Sequence, residues 1–261
     1  MNAVVDASLQ ASSLEQLELA RLLAHVAGYC SSSLGATLLK EAEPLKDVAR
    51  LDDELGMVAE ARSIIVEGER IPVDGIHDLR NRLALATVQG NFLDGEDLVA
   101  VGRTLSGMRR MRGFFSDRVS EAPLLRMLTD PIHSNRLLEK HISDALDDKG
   151  NVRDSASRAL FDIRRDIIAK SAKLRDRLGS ILRRVSEDDL LTDEYVTLAE
   201  GRLVLPVRVE YKRRLPGIIH GESKTGSTVY LEPAEIFDMN NEIAELRFAE
   251  RREIEKVLRV L

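Results

Sequence analysis

The sequence predicts a mainly α protein: a helical core or lever body with a long two-helix arm that carries a small antiparallel β tip. Composition is the first reason. Of 261 residues, 44% are hydrophobic, only 4% are aromatic, tryptophan is absent and 31% are charged. That mixture belongs to long amphipathic helices rather than to a sandwich or barrel. Spacing is the second reason, because apolar residues recur at three- and four-residue intervals through most of the chain. The third is one window, about 195–231, where short β-branched runs punctuated by Gly, Pro and polar clusters lie between two helical patterns.

Taken in order, "SSLEQLELARLLAHVAGYC" reads as an opening helix, with Ser12 and Glu15 as a capping box and Leu14, Leu17 and Val26 in an apolar stripe. "SSSLG" begins a second helical stretch that Pro44 ends, and residues 45–66 read as a third. After the turn-rich "EGERIPVDGIHD", the segments "DLRNRLALATVQG" and "DGEDLVAVGRTLSGMRRMRGFF" give two more helices. Residues 123–147 add helical pieces broken at Pro131. Residues 1–152 thus form the helical core or lever region.

The arm occupies 153–261. Asp154 or Ser155 can cap a helix of about 155–185, in which Leu160, Ile167, Leu174 and Ile181 recur every seven residues, with Ile163, Leu178 and Val185 between them. A sustained seven-residue repeat calls for a partner helix alongside. Residues 233–261 supply it, with Pro233 in the first turn and Ile236, Met239, Ile243, Leu246, Ile254, Val257 and Leu261 continuing the stripe. The tip between them has strand-like runs at Tyr195–Leu198, Leu203–Val209, Gly217–His220 and Thr228–Leu231.

The net charge of −6 is unevenly spread. Residues 1–152 carry 17 Lys and Arg against 24 Asp and Glu, whereas 153–224 carry 16 against 12. A basic middle on an acidic chain fits a protein that meets a polyanion with one part of itself. At its C-terminal edge, Gly221, Gly226, Ser227 and Thr228 imitate a phosphate-binding loop. The lysine that should follow the second glycine is missing, and "VYLEP" reads as a strand where such a loop needs a helix N-terminus. The segment is therefore a hairpin loop, not a nucleotide site. Arg202, Arg208, Lys212, Arg213, Arg214 and Lys224, with His220, Ser223, Thr225 and Thr228 as hydrogen-bonding neighbours, suit a grip on phosphate oxygens that reads no bases. The same residues suit an ordinary solvated hairpin.

Other chemistry is sparse. His25, His77, His133 and His141 have no metal-ligand spacing, and the acidic clusters at 51–54, 146–149 and 186–189 read as solvated helix ends or turns. Arg109, Arg110 and Arg112 make a second basic spot that is either a polyanion contact or a solvated helix end. The lone Cys30, the lack of a signal-like N-terminus and the absence of a long apolar run predict a soluble cytoplasmic protein that neither spans nor binds a membrane.

Arg202–Val207, Gly217–His220, Ser223–Thr228, Glu232–Pro233 and Asn240–Asn241 stand in an order and spacing that resembles the MutS superfamily, within it the bacterial type-two branch. "GNVRDSASRALFDIRRDI" and the leading helix are similar to that branch too. The chain departs from it at Gly221, where aspartate is usual, and at Ala199, where arginine is common. The resemblance implies an N-terminal fragment. The ATPase domain that binds ATP and Mg, and the Smr nuclease domain of many members, would lie outside these 261 residues, leaving this chain non-enzymatic and without a cofactor. It also implies a DNA-binding clamp portion, homodimeric at full length, acting in recombination suppression or mismatch-repair-like handling of branched or duplex DNA. Two alternatives are binding of rRNA on collided ribosomes in ribosome quality control, and a purely structural dimerisation arm built on a coiled coil.

Overall fold

The computed structural model describes residues 13–188, 190–192 and 195–261. It is mainly helical with one small antiparallel sheet, as the sequence predicts. The chain divides into two compact units, Met1–Asn151 together with Leu261, and Val152–Val260.

The first unit holds α1 (Leu19–Ala27), α2 (Ser33–Lys40), α3 (Val48–Val66), α4 (Arg80–Ala86), α5 (Gly95–Ser116), α6 (Pro123–Thr129) and α7 (Arg136–Ala145). Side-chain caps fix the starts of several helices: Ser32, Asp47, Asp94 and Asn135 accept N–H groups of α2, α3, α5 and α7. The opening segment differs from expectation. Its Ser12 cap lies outside the described residues, and Glu18, at φ 52°, breaks the helical pattern before α1 begins. Ile64, Phe115 and Ala122 form a small core among α3, α5 and α6. Glu60 of α3 accepts the N–H groups of Leu124 and Leu125 at 3.0 and 2.9 Å, satisfying free donors in the first turn of α6.

The second unit contains α8 (Arg158–Glu187), the strands β1 (Thr197–Ala199), β2 (Arg202–Arg208), β3 (Gly217–Glu222) and β4 (Thr228–Pro233), and α9 (Phe237–Val260). Ser157 caps α8, its Oγ accepting from Leu160 N at 3.0 Å, because Asp154–Ala156 is taken up in a 3-10 turn. Pro233 ends β4 instead of opening a helix, and a 3-10 turn at Ala234–Ile236 leads into α9.

The two helices run antiparallel. Arg164 pairs with Glu250 at 2.7 Å and Arg177 with Glu235 at 2.6 Å, Lys170 pairs with Glu242, and Ser157 Oγ donates to Glu253 at 2.8 Å. Leu174, Leu178, Ile181 and Val185 of the predicted repeat are buried, joined by Ile236 and Ile243. The same cluster takes in Leu205, Val207, Val229 and Leu231, so one apolar core holds the sheet against the helix pair. Each fully buried aliphatic side chain there contributes about 1.5–3 kcal/mol.

The sheet order is β1-β2-β4-β3, with every neighbouring pair antiparallel. Glu200 (φ 50°) and Gly201 (φ 80°) form the two-residue turn between β1 and β2, where Ala199 faces Arg202. Positive φ at both positions is the turn geometry that matches strand twist. β4 lies between β2 and β3, so residues 209–216 cross from one end of the sheet to the other.

Candidate nucleic-acid interface

The glycine-rich segment sits where β3 turns into β4. Ser223 N donates to Thr228 O at 2.8 Å and Gly226 N to Ser223 O at 2.9 Å, closing the hairpin. A strand follows it, as the sequence predicts, so no helix N-terminus faces the loop. The hydroxyls bind one another: Thr225 Oγ1 lies 2.8 Å from Ser227 Oγ and 3.3 Å from Ser223 Oγ, and Ser223 Oγ accepts Thr228 N at 3.2 Å. They shape the turn.

Val209 N donates to Ser227 O at 3.0 Å, which brings the start of the 209–216 crossover beside that hairpin loop. Lys212, Arg213 and Arg214 follow in the crossover and are exposed, as is Lys224 in the loop. Arg214 lies over the Tyr211 ring, 5.2 Å from its centroid. Arg208 is half-buried, and its Nε donates to Leu191 O at 3.0 Å.

Three of the ten sequence-predicted contact residues turn inward. Thr228 is only 6% exposed, and its Oγ1 meets Thr192 Oγ1 at 2.9 Å. Arg202 and His220 both reach Glu232, a carboxylate with no exposed surface: Arg202 Nη1 donates to Oε1 at 2.8 Å, and His220 Nε2 lies 2.6 Å from Oε2. An acid removed from water in this way draws in the nearest donors, and it engages the polar ends of both side chains. Asn240 Nδ2 adds a third bond to Glu232 at 2.8 Å. Glu232 and Asn240 are motif residues to which the sequence assigns no role. The available signal was an acid inside an apolar strand run.

No protein-family model matches the chain. Curated relatives do. Endonuclease MutS2 of Symbiobacterium thermophilum is 36% identical over 245 residues, 94% of this chain and 30% of that protein. Endonuclease MutS2 of Pelotomaculum thermopropionicum is 36% identical over 245 residues, again 94% of this chain and 31% of that protein. The protein of the same description from Alkaliphilus oremlandii is 34% identical over 248 residues, 94% of this chain and 31% of the relative. The chain is of the MutS2 type. It spans about a third of the length of the curated relatives it matches.

In this MutS2-type chain Arg202, His220, Glu232, Asn240 and Asn241 of the motifs meet where strands and α9 join, whereas the Ser223–Thr228 motif forms the hairpin loop beside the crossover. Two of the three cations in the second basic spot make structural contacts, while Arg112 is exposed. Arg109 forms a forked pair with Glu139 at 2.9–3.1 Å, and Arg110 donates to Asp74 O at 2.9 Å. Asp147 accepts the N–H groups of Lys149 and Asn151 at 2.9 and 2.8 Å, the work of a turn residue. Among the described residues no group of three or more His, Cys, Asp and Glu is placed to hold a metal ion, and no helix is long and apolar enough to cross a membrane.

Proposed function

We propose that the second unit is the nucleic-acid-engaging clamp portion of a MutS2-type protein, gripping the sugar–phosphate backbone of duplex or branched DNA without cutting it. Lys212, Arg213, Arg214 and Lys224 are the contact cations, with Arg208 and the Ser223–Thr225 turn at the margin. One observation carries this reading. Arg164, Lys170 and Arg177 pair with acids across the helix pair, whereas the crossover and loop cluster four exposed cations, Lys212, Arg213, Arg214 and Lys224, that form no ion pair among the described residues. Exposed cations without counter-charges attract phosphates and displace their condensed counterions. Such contacts carry no base readout, so binding is sequence-independent. As the family resemblance implies, the whole protein would act in recombination suppression or mismatch-repair-like DNA processing, with ATP bound outside these residues.

The test is fluorescence anisotropy of the chain on duplex DNA across salt concentrations. With four phosphates engaged, log K falls with log salt at a slope of about −3.6, and each cation replaced by alanine reduces that slope by about 0.9. Equal, weak, salt-insensitive binding by wild type and the Lys212/Arg213/Arg214/Lys224 alanine variant would instead leave a structural arm. An RNA duplex in parallel separates a DNA clamp from an rRNA contact. Because the glycine loop feeds a strand, the chain is expected to hydrolyse neither ATP nor DNA. Turnover by highly purified protein would overturn that expectation.

A further inference from the structure

Among the described residues, Glu232 is the only ionisable side chain in the buried set. We infer that Arg202, His220, Glu232 and Asn240 form a clasp that fixes the orientation of the β tip on α9, so that they act as positioning residues and not as phosphate contacts. The inference deepens the clamp reading above and rests on it for its effect on binding.

The clasp joins every element it must join. Glu232 lies on β4, Arg202 on β2, His220 on β3, and Asn240 and Asn241 on α9. Both carboxylate oxygens are engaged: Oε1 accepts Arg202 Nη1 and Asn240 Nδ2, each at 2.8 Å, and Oε2 meets His220 Nε2 at 2.6 Å. Arg202 spreads its fork, its second Nη donating to Asn241 Oδ1 at 2.5 Å, while its guanidinium lies 5.5 Å from the Phe237 ring centre. Asn240 also bonds both backbone groups of Leu203, accepting its N–H at 3.3 Å and donating to its carbonyl at 3.2 Å.

Apolar burial holds the sheet to the helices but is non-directional. A guanidinium whose two Nη groups reach Glu232 on β4 and Asn241 on α9 makes directional bonds that fix an angle. A buried carboxylate also tolerates no half-made state, because losing one partner strands charge away from water. The clasp is therefore either closed, with the cationic crossover held in one orientation, or broken.

Two measurements test this on the full chain. In a C30S background, labels at E210C and R252C report the tip-to-helix distance distribution. Glu232→Gln and Arg202→Lys, the latter keeping the charge but losing the fork, should leave far-UV circular dichroism unchanged and broaden that distribution. On duplex DNA both should bind about ten-fold more weakly, as a tip in the binding orientation about a tenth of the time would. Their salt slope should equal that of wild type, because no phosphate contact is lost. Should E232Q fail to fold, Asn241→Ala, which removes only the outer bond to Arg202, is read the same way. Unbroadened distances overturn the clasp, as does full rescue of affinity by Arg202→Lys paired with a slope reduced by about 0.9 in Arg202→Gln. Broadened distances with no DNA binding by any protein sink the clamp reading and leave the clasp standing.

Discussion

Gly217 begins β3 against the backbone of Pro233 and Glu232, and it has no room for a side chain. A Cβ there would lie 2.2 Å from Glu232 O and 2.7 Å from Leu231 Cδ2. Neither neighbour can yield, since Leu231 and Glu232 are fully buried in β4. Gly217→Ala should therefore lower stability by about 1–3 kcal/mol, the usual cost of overpacking, measured as a shifted denaturant midpoint at constant m-value. Residues of this kind also mark the limit of sequence reading. Arg202 and His220 looked like surface donors because a basic or polar residue beside a turn normally is one. Their partner, Glu232, is 30 residues from Arg202 in the chain, and nothing local reveals that the three converge. Thr228 is buried against Thr192, a partner 36 residues away that nothing local reveals. Lys212, Arg213 and Lys224 are exposed, the default for unpaired cations.

Whole elements were far more legible. The repeat from Leu160 to Val185 is local information, and α8 follows it, pairing with α9 as a seven-residue pattern demands. The boundaries shifted for local reasons: Asp154 is drawn to Arg164 at 2.5 Å, leaving Ser157 to cap, and Pro233 takes an extended ψ of 139°. At the junction of β4 and α9, Glu235 pairs with both Arg177 and Arg184. The Arg184 contact, with the charge of Arg177 behind it, holds the Glu235 carboxyl below its ordinary value of 4.5. A carboxylate with a depressed folded-state value stabilises the fold above its unfolded value, and loses that contribution as pH falls through the folded one. Glu235→Gln should thus be less stable than wild type at neutral pH, by about 0.2–1 kcal/mol for so exposed a pair. The gap should close as pH drops below 4.5. Thermal melts of both proteins between neutral pH and strongly acidic buffer give the answer; a gap that persists at the acid end would mean that packing, not charge, is responsible.

At the scale of the molecule, the second unit has its own core of thirteen buried apolar residues spanning helices and sheet, together with its own capped helix and its own ion-pair ladder. A segment so equipped should fold when expressed alone as residues 152–260. At about 0.7 kcal/mol per residue near 60 °C, its calorimetric unfolding enthalpy should be about 75 kcal/mol in a single transition. Charge adds a sharper expectation. Residues 1–152 hold 24 acids against 17 bases, and an acidic region tethered to the proposed phosphate-binding surface would repel the polymer over distances of about a Debye length. The isolated unit should therefore bind duplex DNA at least as tightly as the whole chain at low salt, with the two affinities converging as ionic strength rises. Weaker binding by the isolated unit under all conditions would place essential contacts in residues 1–151, and the crossover between β2 and β3 would no longer account for the interaction by itself.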